Sequence, residues 1–397
     1  METESKRLAA LAASQTLAMA QKSRELKSKG VDVINLSVGE PDFHTPDHVK
    51  EAAKKAIDDN FSFYTPVSGF DDLTKAIVNK LKRDNNLDYN QKQIVVSCGA
   101  KQSITNVFLS VLNPGDEVLI PTPYWVSYPE AIKLAESKPV YLRTTIEDDF
   151  KITAEELSKA ISRRTRMFVF SSPSNPAGTV YSKAELKAIA EVLAKNPQIL
   201  ILSDEIYEYI NFSGKHESIA QFPEVKNQTI IVNGVSKGYA MTGWRIGYIA
   251  APEWIAKACD KLQGQYTSGA CSIAQKASVA AINGSLEYPE MMCKAFLRRR
   301  DLVYDGLSKI KGLKLNKPEG AFYMFTNISA FLDKKIDGLE IKNANDLSLY
   351  LLEKAHVATV GGEGFGHPDC LRISFAASDE MLVKAIERIT KALEYLM

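Results

Sequence analysis

Residues 199–205 read ILILSDE: four apolar residues in unbroken succession, then a serine and two acids. A strand with one face in water alternates apolar and polar residues, because successive side chains point to opposite faces. A continuous apolar run bounded by polar residues is instead what a strand covered on both faces requires. Six more runs of this kind flank it: QIVVSCG (93–99), EVLIPTP (117–123), PVYLRT (139–144), RMFVFSSP (166–173), TIIVNGVS (229–236) and RIGYIAAP (245–252). Helical stretches lie between them, and two open on capping boxes, TAEE (153–156) and SKAE (182–185). Strands alternating with helices predict an α/β fold built on a mainly parallel, seven-stranded sheet.

Beyond residue 285 the pattern changes. An arginine-rich helix (FLRRRD, 296–301) leads to short strands around GAFYMF (320–325) and CLRISFA (370–376), and a last helix starts at Met381. This predicts a smaller α+β domain of residues 285–397, joined by residues 1–45, beside a large domain of residues 46–284. A chain of 397 residues is long enough for two such cores.

The bulk numbers remove several function classes. Net charge is +1, without the basic excess of a nucleic-acid binder. No window approaches 18 consecutive apolar residues, so no membrane span is expected. The opening METESKRLAALAASQTLAMA has the outline of a signal peptide. Glu2 and Glu4 precede its basic pair, however, and Ser14, Gln15 and Thr16 interrupt its apolar stretch, which predicts an amphipathic helix. The five cysteines are odd in number, scattered and without a C-x-x-C. They read as buried small hydrophobes in a reducing, cytoplasmic compartment. The histidines show no metal-ligand spacing, and no metal is expected.

In parallel sheets, ligands sit at the carboxyl ends of strands. The uncommon residues of this chain fall there. Lys237 follows the sixth run. Alone, a loop lysine reads as solvent-facing; buried near another cation, it would lose its proton near neutral pH and form a Schiff base with an aldehyde. Asp204 ends an apolar strand. It reads as a helix cap, as half of a salt bridge, or as the partner that keeps a pyridine nitrogen protonated. Tyr207 could hydrogen-bond a ring hydroxyl. Gly99-Ala100-Lys101 opens a helix directly after a strand, where backbone amides hold phosphate, and Arg245 could grip the same group. Trp125 offers a face for stacking. Asn175 lies between Pro173 and Pro176 on a rigid turn. Arg372, in a short strand, has the fork that matches a carboxylate. GGEGFG (361–366) does not fit a dinucleotide fingerprint and reads as a mobile loop. Together these groups describe pyridoxal phosphate handling an amino acid.

SKGYAMTGWRIGY (236–248) resembles the cofactor-lysine motif of class I pyridoxal-phosphate-dependent aminotransferases. SVGEPDF (37–43), YTPVSGF (64–70), SPSNPAGTVY (172–181), SDEIYEYI (203–210), GAFY (320–323) and LRISFA (371–376) resemble the same family in the same order. The likeness covers nearly the whole chain, and PTPYWVSYPE (121–130) and Lys101 bring it nearest to bacterial aspartate aminotransferases of the I-beta subgroup. The resemblance implies a fold-type-I homodimer with its site at the subunit interface and pyridoxal 5′-phosphate as cofactor. It implies that Lys237 is catalytic, linking the cofactor aldehyde and then shuttling a proton between Cα and C4′. The implied cofactor-binding set is Tyr64 (from the partner subunit), Ala100, Lys101, Trp125, Asn175, Asp204, Tyr207, Ser236, Lys237 and Arg245. Gly39, Lys101, Trp125, Asn175 and Arg372 would line the substrate. Many relatives carry a serine three residues before the lysine. Gly234 stands there here, which leaves the phosphate more dependent on helix-start amides and Arg245.

The positive charge of Lys101 favours a dicarboxylate. The reaction implied is ping-pong transfer of the amino group of L-aspartate to 2-oxoglutarate, giving oxaloacetate and L-glutamate. Aromatic, kynurenine-type or broad-specificity relatives share the motifs. A prephenate activity is associated with a basic residue in the N-terminal segment, and Ala12 occupies the corresponding position. A pyridoxal-phosphate-binding transcription regulator would need an added DNA-binding domain, for which too few residues precede SVGEPDF. A nicotinamide dehydrogenase would need a glycine fingerprint after an early strand, and none is present.

Overall fold

The computed structural model describes residues 4–12, 15–336 and 339–396. All seven apolar runs form strands of one sheet: β1 (Ile94–Ser97), β2 (Glu117–Pro121), β3 (Lys138–Leu142), β4 (Thr165–Ser171), β5 (Leu200–Asp204), β6 (Thr229–Gly234) and β7 (Gly247–Ala250). Their spatial order is β1-β7-β6-β5-β4-β2-β3. The pairs from β6 to β3 are parallel, while β7 runs antiparallel to both β6 and β1. The exception has a local cause. Parallel neighbours need a crossover helix, and the link from β6 to β7 contains only a three-residue 3-10 turn, Thr242–Trp244.

Burial explains the unbroken hydrophobicity. Leu202 and Val232 pack with Val107 and Phe108 on one side of the sheet. Their sequence neighbours Ile201 and Ile231 pack into separate clusters on the other side. The edge strand β3 is the one with exposed positions. Its Tyr141 is half in solvent, at 43% exposure.

A second sheet is antiparallel, with β8 (Tyr323–Asn327), β9 (Val360–Gly361) and β10 (Cys370–Ser374) in the order β9-β10-β8. It shares a core with α3 (Glu287–Leu307) and α4 (Asp379–Glu394), in which Phe296, Leu307, Phe322, Ile373, Leu382 and Ile389 are buried together. The N-terminal segment joins these elements. Ile34 and Asn35 pair in parallel with Val357 and Ala358, and the Ser374 amide donates to the Leu36 carbonyl at 2.9 Å.

Three local expectations are corrected. The single amphipathic N-terminal helix is instead a four-residue helix, Lys6–Ala9, followed by α1 (Gln15–Ser28). Of the residues used for that reading, Glu2 and Ser14 lie outside the described ones. The last helix begins at Asp379 rather than Met381, because the Ser378 hydroxyl caps it by accepting from the Met381 amide. The GGEGFG segment is a packed turn and not a free loop. Phe365 is fully buried, and the Gly364 amide donates to the Gln15 side chain at 3.0 Å.

Candidate active site

A cavity of about 390 Å³ opens at the carboxyl ends of the parallel strands, where β5 and β6 release the chain toward the second sheet. β5 ends on Asp204, which is 5% exposed. Its Oδ2 accepts from the Tyr128 hydroxyl at 2.6 Å and its Oδ1 from the Ile206 amide at 3.3 Å. Burial pushes its carboxyl up to about 6, against the pull of those two hydrogen bonds.

β6 ends at Gly234, and three residues later Lys237 enters the cavity. Its Nζ donates to the Gly39 carbonyl at 2.6 Å. Desolvation pushes its ammonium down to about 8; Arg245 and Arg372 add to this, while Glu40 and Asp204 oppose it. A cavity amine in that range is deprotonated often enough at neutral pH to act as a nucleophile or base.

The strand–helix turn at residues 97–100 presents helix-start amides of the kind that can hold an anion. Gly99 has φ +80° and caps α2 (Ala100–Val111). A Cβ at Gly99 would overlap the Arg245 guanidinium, and one at Gly247 would overlap the Ala100 amide. Both glycines are therefore required for the helix start to seat against β7 with Arg245 beside it. Arg245 itself is left-handed, at φ +57°, and its Nη1 donates to the Thr242 carbonyl at 2.9 Å. Ala100, Lys101, Ser236 and Arg245 all line the cavity. At Gly234 a Cβ would lie 2.7 Å from the Ile246 carbonyl, so a serine could not replace it without moving β7.

The opposite wall comes from the second sheet. Arg372, on β10, is 3% exposed. Its Nη1 donates to Asn175 Oδ1 at 2.9 Å and its Nη2 to the Ser37 carbonyl at 2.7 Å, while its Nε is buried without a partner. The guanidinium carbon lies 4.6 Å from the centre of the Tyr323 ring, and the Tyr207 and Tyr323 hydroxyls are 2.7 Å apart. The Trp125 ring meets Tyr128 edge-on at 5.5 Å, and Lys101 Nζ sits 5.1 Å from the Trp125 ring centre. Desolvation and the Arg245 charge both lower the Lys101 ammonium.

Every sequence-predicted site residue except Tyr64 thus lines one cavity. Tyr64 is 97% exposed and stands away from it. Sequence reasoning missed Tyr128, Tyr323 and Ser37. Tyr128 was within reach: it lies three residues past Trp125, at the start of a helix, Ser127–Leu134. Nothing in GAFYMF shows that Tyr323, rather than Phe322, turns to the cavity. Spacing also gave no sign of two clusters of metal-binding groups outside the cavity, Glu205–Glu208–His216 and His367–Asp369–Cys370. In the first, the Lys80 ammonium pairs with Glu208 and supplies the positive charge.

Residues 31–389 match the family model for aminotransferase class I and II. The chain belongs to this family. The aminotransferase is 47% identical over 395 residues to a probable aspartate/prephenate aminotransferase of Rickettsia bellii, with 99% of each chain covered. It is 46% identical over 391 residues to an aspartate aminotransferase of Bacillus subtilis, with 98% of each covered. The crystal structure of an aspartate aminotransferase from Rhizobium meliloti superposes with a TM-score of 0.96 at 44% identity, covering both chains fully. Enzymes of this family use pyridoxal 5′-phosphate. The cavity fits that group on its own chemistry. It combines a buried carboxylate that forms no ion pair among the described residues, Asp204, with a lysine of depressed pKa and a helix start flanked by an arginine. Among the described residues, no helix is long and apolar enough to cross a membrane.

Proposed function

We propose that this aminotransferase moves the amino group of L-aspartate to 2-oxoglutarate, giving oxaloacetate and L-glutamate in a ping-pong cycle. The observation that carries this reading is the charge inventory of the cavity. Lys101, Arg245 and Arg372 line it beside Lys237, and no carboxylate forms an ion pair with any of the three among the described residues. A phosphate, an α-carboxylate and a second, side-chain carboxylate would match them. An aromatic or aliphatic side chain would leave Lys101 without a counter-charge.

In this reading Asp204 holds the pyridine nitrogen, Tyr207 and Asn175 the ring oxygen, and Trp125 the ring face. The amides at Ala100 and Lys101, with Ser236 and Arg245, hold the phosphate. The bound cofactor supplies an aldehyde for the substrate amine and an electron sink for the Cα–H bond. The protein does the rest. Arg372 binds the α-carboxylate through its fork, helped by the unpartnered Nε. The Gly39 carbonyl accepts from the free Lys237 amine at 2.6 Å and lines the substrate side of the cavity. Lys237 Nζ, as a free amine, would take the Cα proton and hand it on. Closure of the second sheet over bound substrate would exclude water.

We further propose two domains, residues 46–284 and residues 1–45 with 285–397, supported by the two distinct sheets; their cores meet where Ile206, Tyr207 and Ile210 are buried in one cluster with Phe322 and Ile373. A homodimer is supported by Phe63 and Tyr64, which are 83% and 97% exposed and would be covered by a second subunit, with Tyr64 reaching that subunit's phosphate site. Five unpaired cysteines, of which only Cys259 and Cys370 are buried as expected while Cys98 and Cys271 are exposed, support a cytoplasmic location. Prephenate is named for some relatives. At Ala12 this chain offers no charge, only a backbone amide that donates to Glu130 at 2.7 Å, which supports aspartate over prephenate.

Steady-state kinetics of Lys101→Ala tests the substrate assignment. Losing a charge-assisted contact costs about 1.5–3 kcal/mol, so kcat/KM for aspartate should fall roughly ten- to a hundred-fold. The value for alanine should stay within about two-fold. An equal loss for both substrates would contradict the reading.

A further inference from the structure

Tyr323 occupies the junction between the two walls of the cavity. It starts β8, where Ser374, two residues past Arg372, is its paired partner. Its hydroxyl lies 2.7 Å from that of Tyr207, three residues past the end of β5. A Cβ at Gly39 would come within 2.6 Å of the same hydroxyl. The Arg372 guanidinium packs on its ring at 4.6 Å, and the rings of Tyr323 and Tyr207 meet edge-on at 5.8 Å. Both side chains are buried, Tyr207 at 3% exposure and Tyr323 at 0%, and their hydroxyls hydrogen-bond each other.

We infer that Tyr323 is a positioning residue that donates its hydroxyl to Tyr207 and so sharpens the donor Tyr207 presents to the cofactor's ring oxygen. The direction follows from the proton count. The Tyr207 hydroxyl has one proton, and when that proton is given to the ring oxygen the 2.7 Å contact leaves Tyr323 as the donor. The Tyr207 oxygen, accepting from Tyr323, has its own proton free to point into the cavity. Consecutive O–H groups aligned this way polarise one another, so the second bond is stronger than it would be alone. A stronger donor stabilises negative charge on the ring oxygen and lowers the proton affinity of the nitrogen that joins Lys237 to the cofactor.

This inference rests on the cofactor reading above, and the experiment separates the two. Holoenzyme of the wild type, Tyr323→Phe and Tyr207→Phe is titrated with pH while the visible absorption band of the bound cofactor is recorded. Tyr323→Phe keeps the ring and its contact with Arg372 and removes only the hydroxyl. Its midpoint should rise by about 0.3–1 pH unit, and that of Tyr207→Phe should rise further. Cofactor content, from the absorbance released in alkali, should stay stoichiometric in all three. An unmoved midpoint in Tyr323→Phe, with the shift present in Tyr207→Phe, overturns the role given to Tyr323 alone. Midpoints unmoved in both overturn it together with the role of Tyr207 at the ring oxygen. Absence of any visible band in the wild type removes the cofactor reading itself, and this inference with it.

Discussion

Asp204 shows how a functional demand sits against stability at the scale of one residue. Its carboxyl is raised to about 6 from an ordinary 3.8 by burial at the end of β5. A carboxyl with a raised folded-state pKa contributes stability that is fully present below pH 3.8 and lost as pH rises through 6. At pH 7.5 the cofactor-free protein therefore carries an ionised, unpaired carboxylate that costs roughly 3 kcal/mol. A cationic ring nitrogen would relieve that cost. Asp204→Asn keeps an acceptor for the Tyr128 hydroxyl and removes the charge. Its cofactor-free form should melt a few degrees higher than the wild type at pH 7.5, with the gain vanishing toward pH 4. The cofactor-loaded enzyme should lose about 10²–10³-fold in kcat. Thermal melts across pH with matched kinetics check both; a lower melting temperature at pH 7.5 would show that the carboxylate is stabilising instead. The sequence exposed this residue because a carboxylate closing an apolar strand needs a partner. Tyr128 could be placed near the site by its spacing from Trp125, but not its bond to Asp204, which forms only after helix Ser127–Leu134 folds across the sheet end.

At the scale of elements, the strand–turn–helix from β1 to α2 decides how the anion end is built. Its helix start is fitted against β7 through two glycines, so the cradle depends on an inter-element distance as well as on its own residues. In Gly247→Ala the added Cβ overlaps the Ala100 amide and the Gly99 carbonyl carbon. Overpacking of this kind costs about 1–3 kcal/mol. Where that cost displaces the helix start, pyridoxal phosphate should bind roughly ten- to a hundred-fold more weakly by equilibrium dialysis. Gly243→Ala, where a Cβ meets nothing within 4 Å, should bind as the wild type does. Equal affinity in Gly247→Ala would mean that the cradle does not depend on this contact. Elements were the most legible level. Seven apolar runs became seven strands, because burial on both faces leaves an unbroken signature. Two-residue strands such as β9 carry no periodicity, and the antiparallel turn of β7 depends on loop length more than on composition. The packing of GGEGFG was hidden for another reason: Phe365 is buried by partners from distant parts of the chain, including Phe325.

On the scale of the whole molecule, the site exists only where two sheets meet. The larger brings Asp204, Lys237 and the helix start of α2; the smaller brings Arg372 and Tyr323. Alternation of strands and helices made the first sheet readable from sequence. The second could be placed through Arg372 and GAFY, but its hold on the N-terminal segment, through Ile34–Asn35 and Val357–Ala358, is a long-range pairing with no local signal. The claim that ties these levels together is that Lys237 holds an aldehyde in a cavity charged for two carboxylates. Recording the visible spectrum of the cofactor-loaded enzyme while adding L-aspartate, and separately L-phenylalanine, L-kynurenine and L-alanine, tests it most directly. The account predicts a visible band that aspartate bleaches far faster than the other three. A faster response to the aromatic amino acids would contradict the dicarboxylate assignment, and a protein that never develops the band would contradict the role of Lys237 itself.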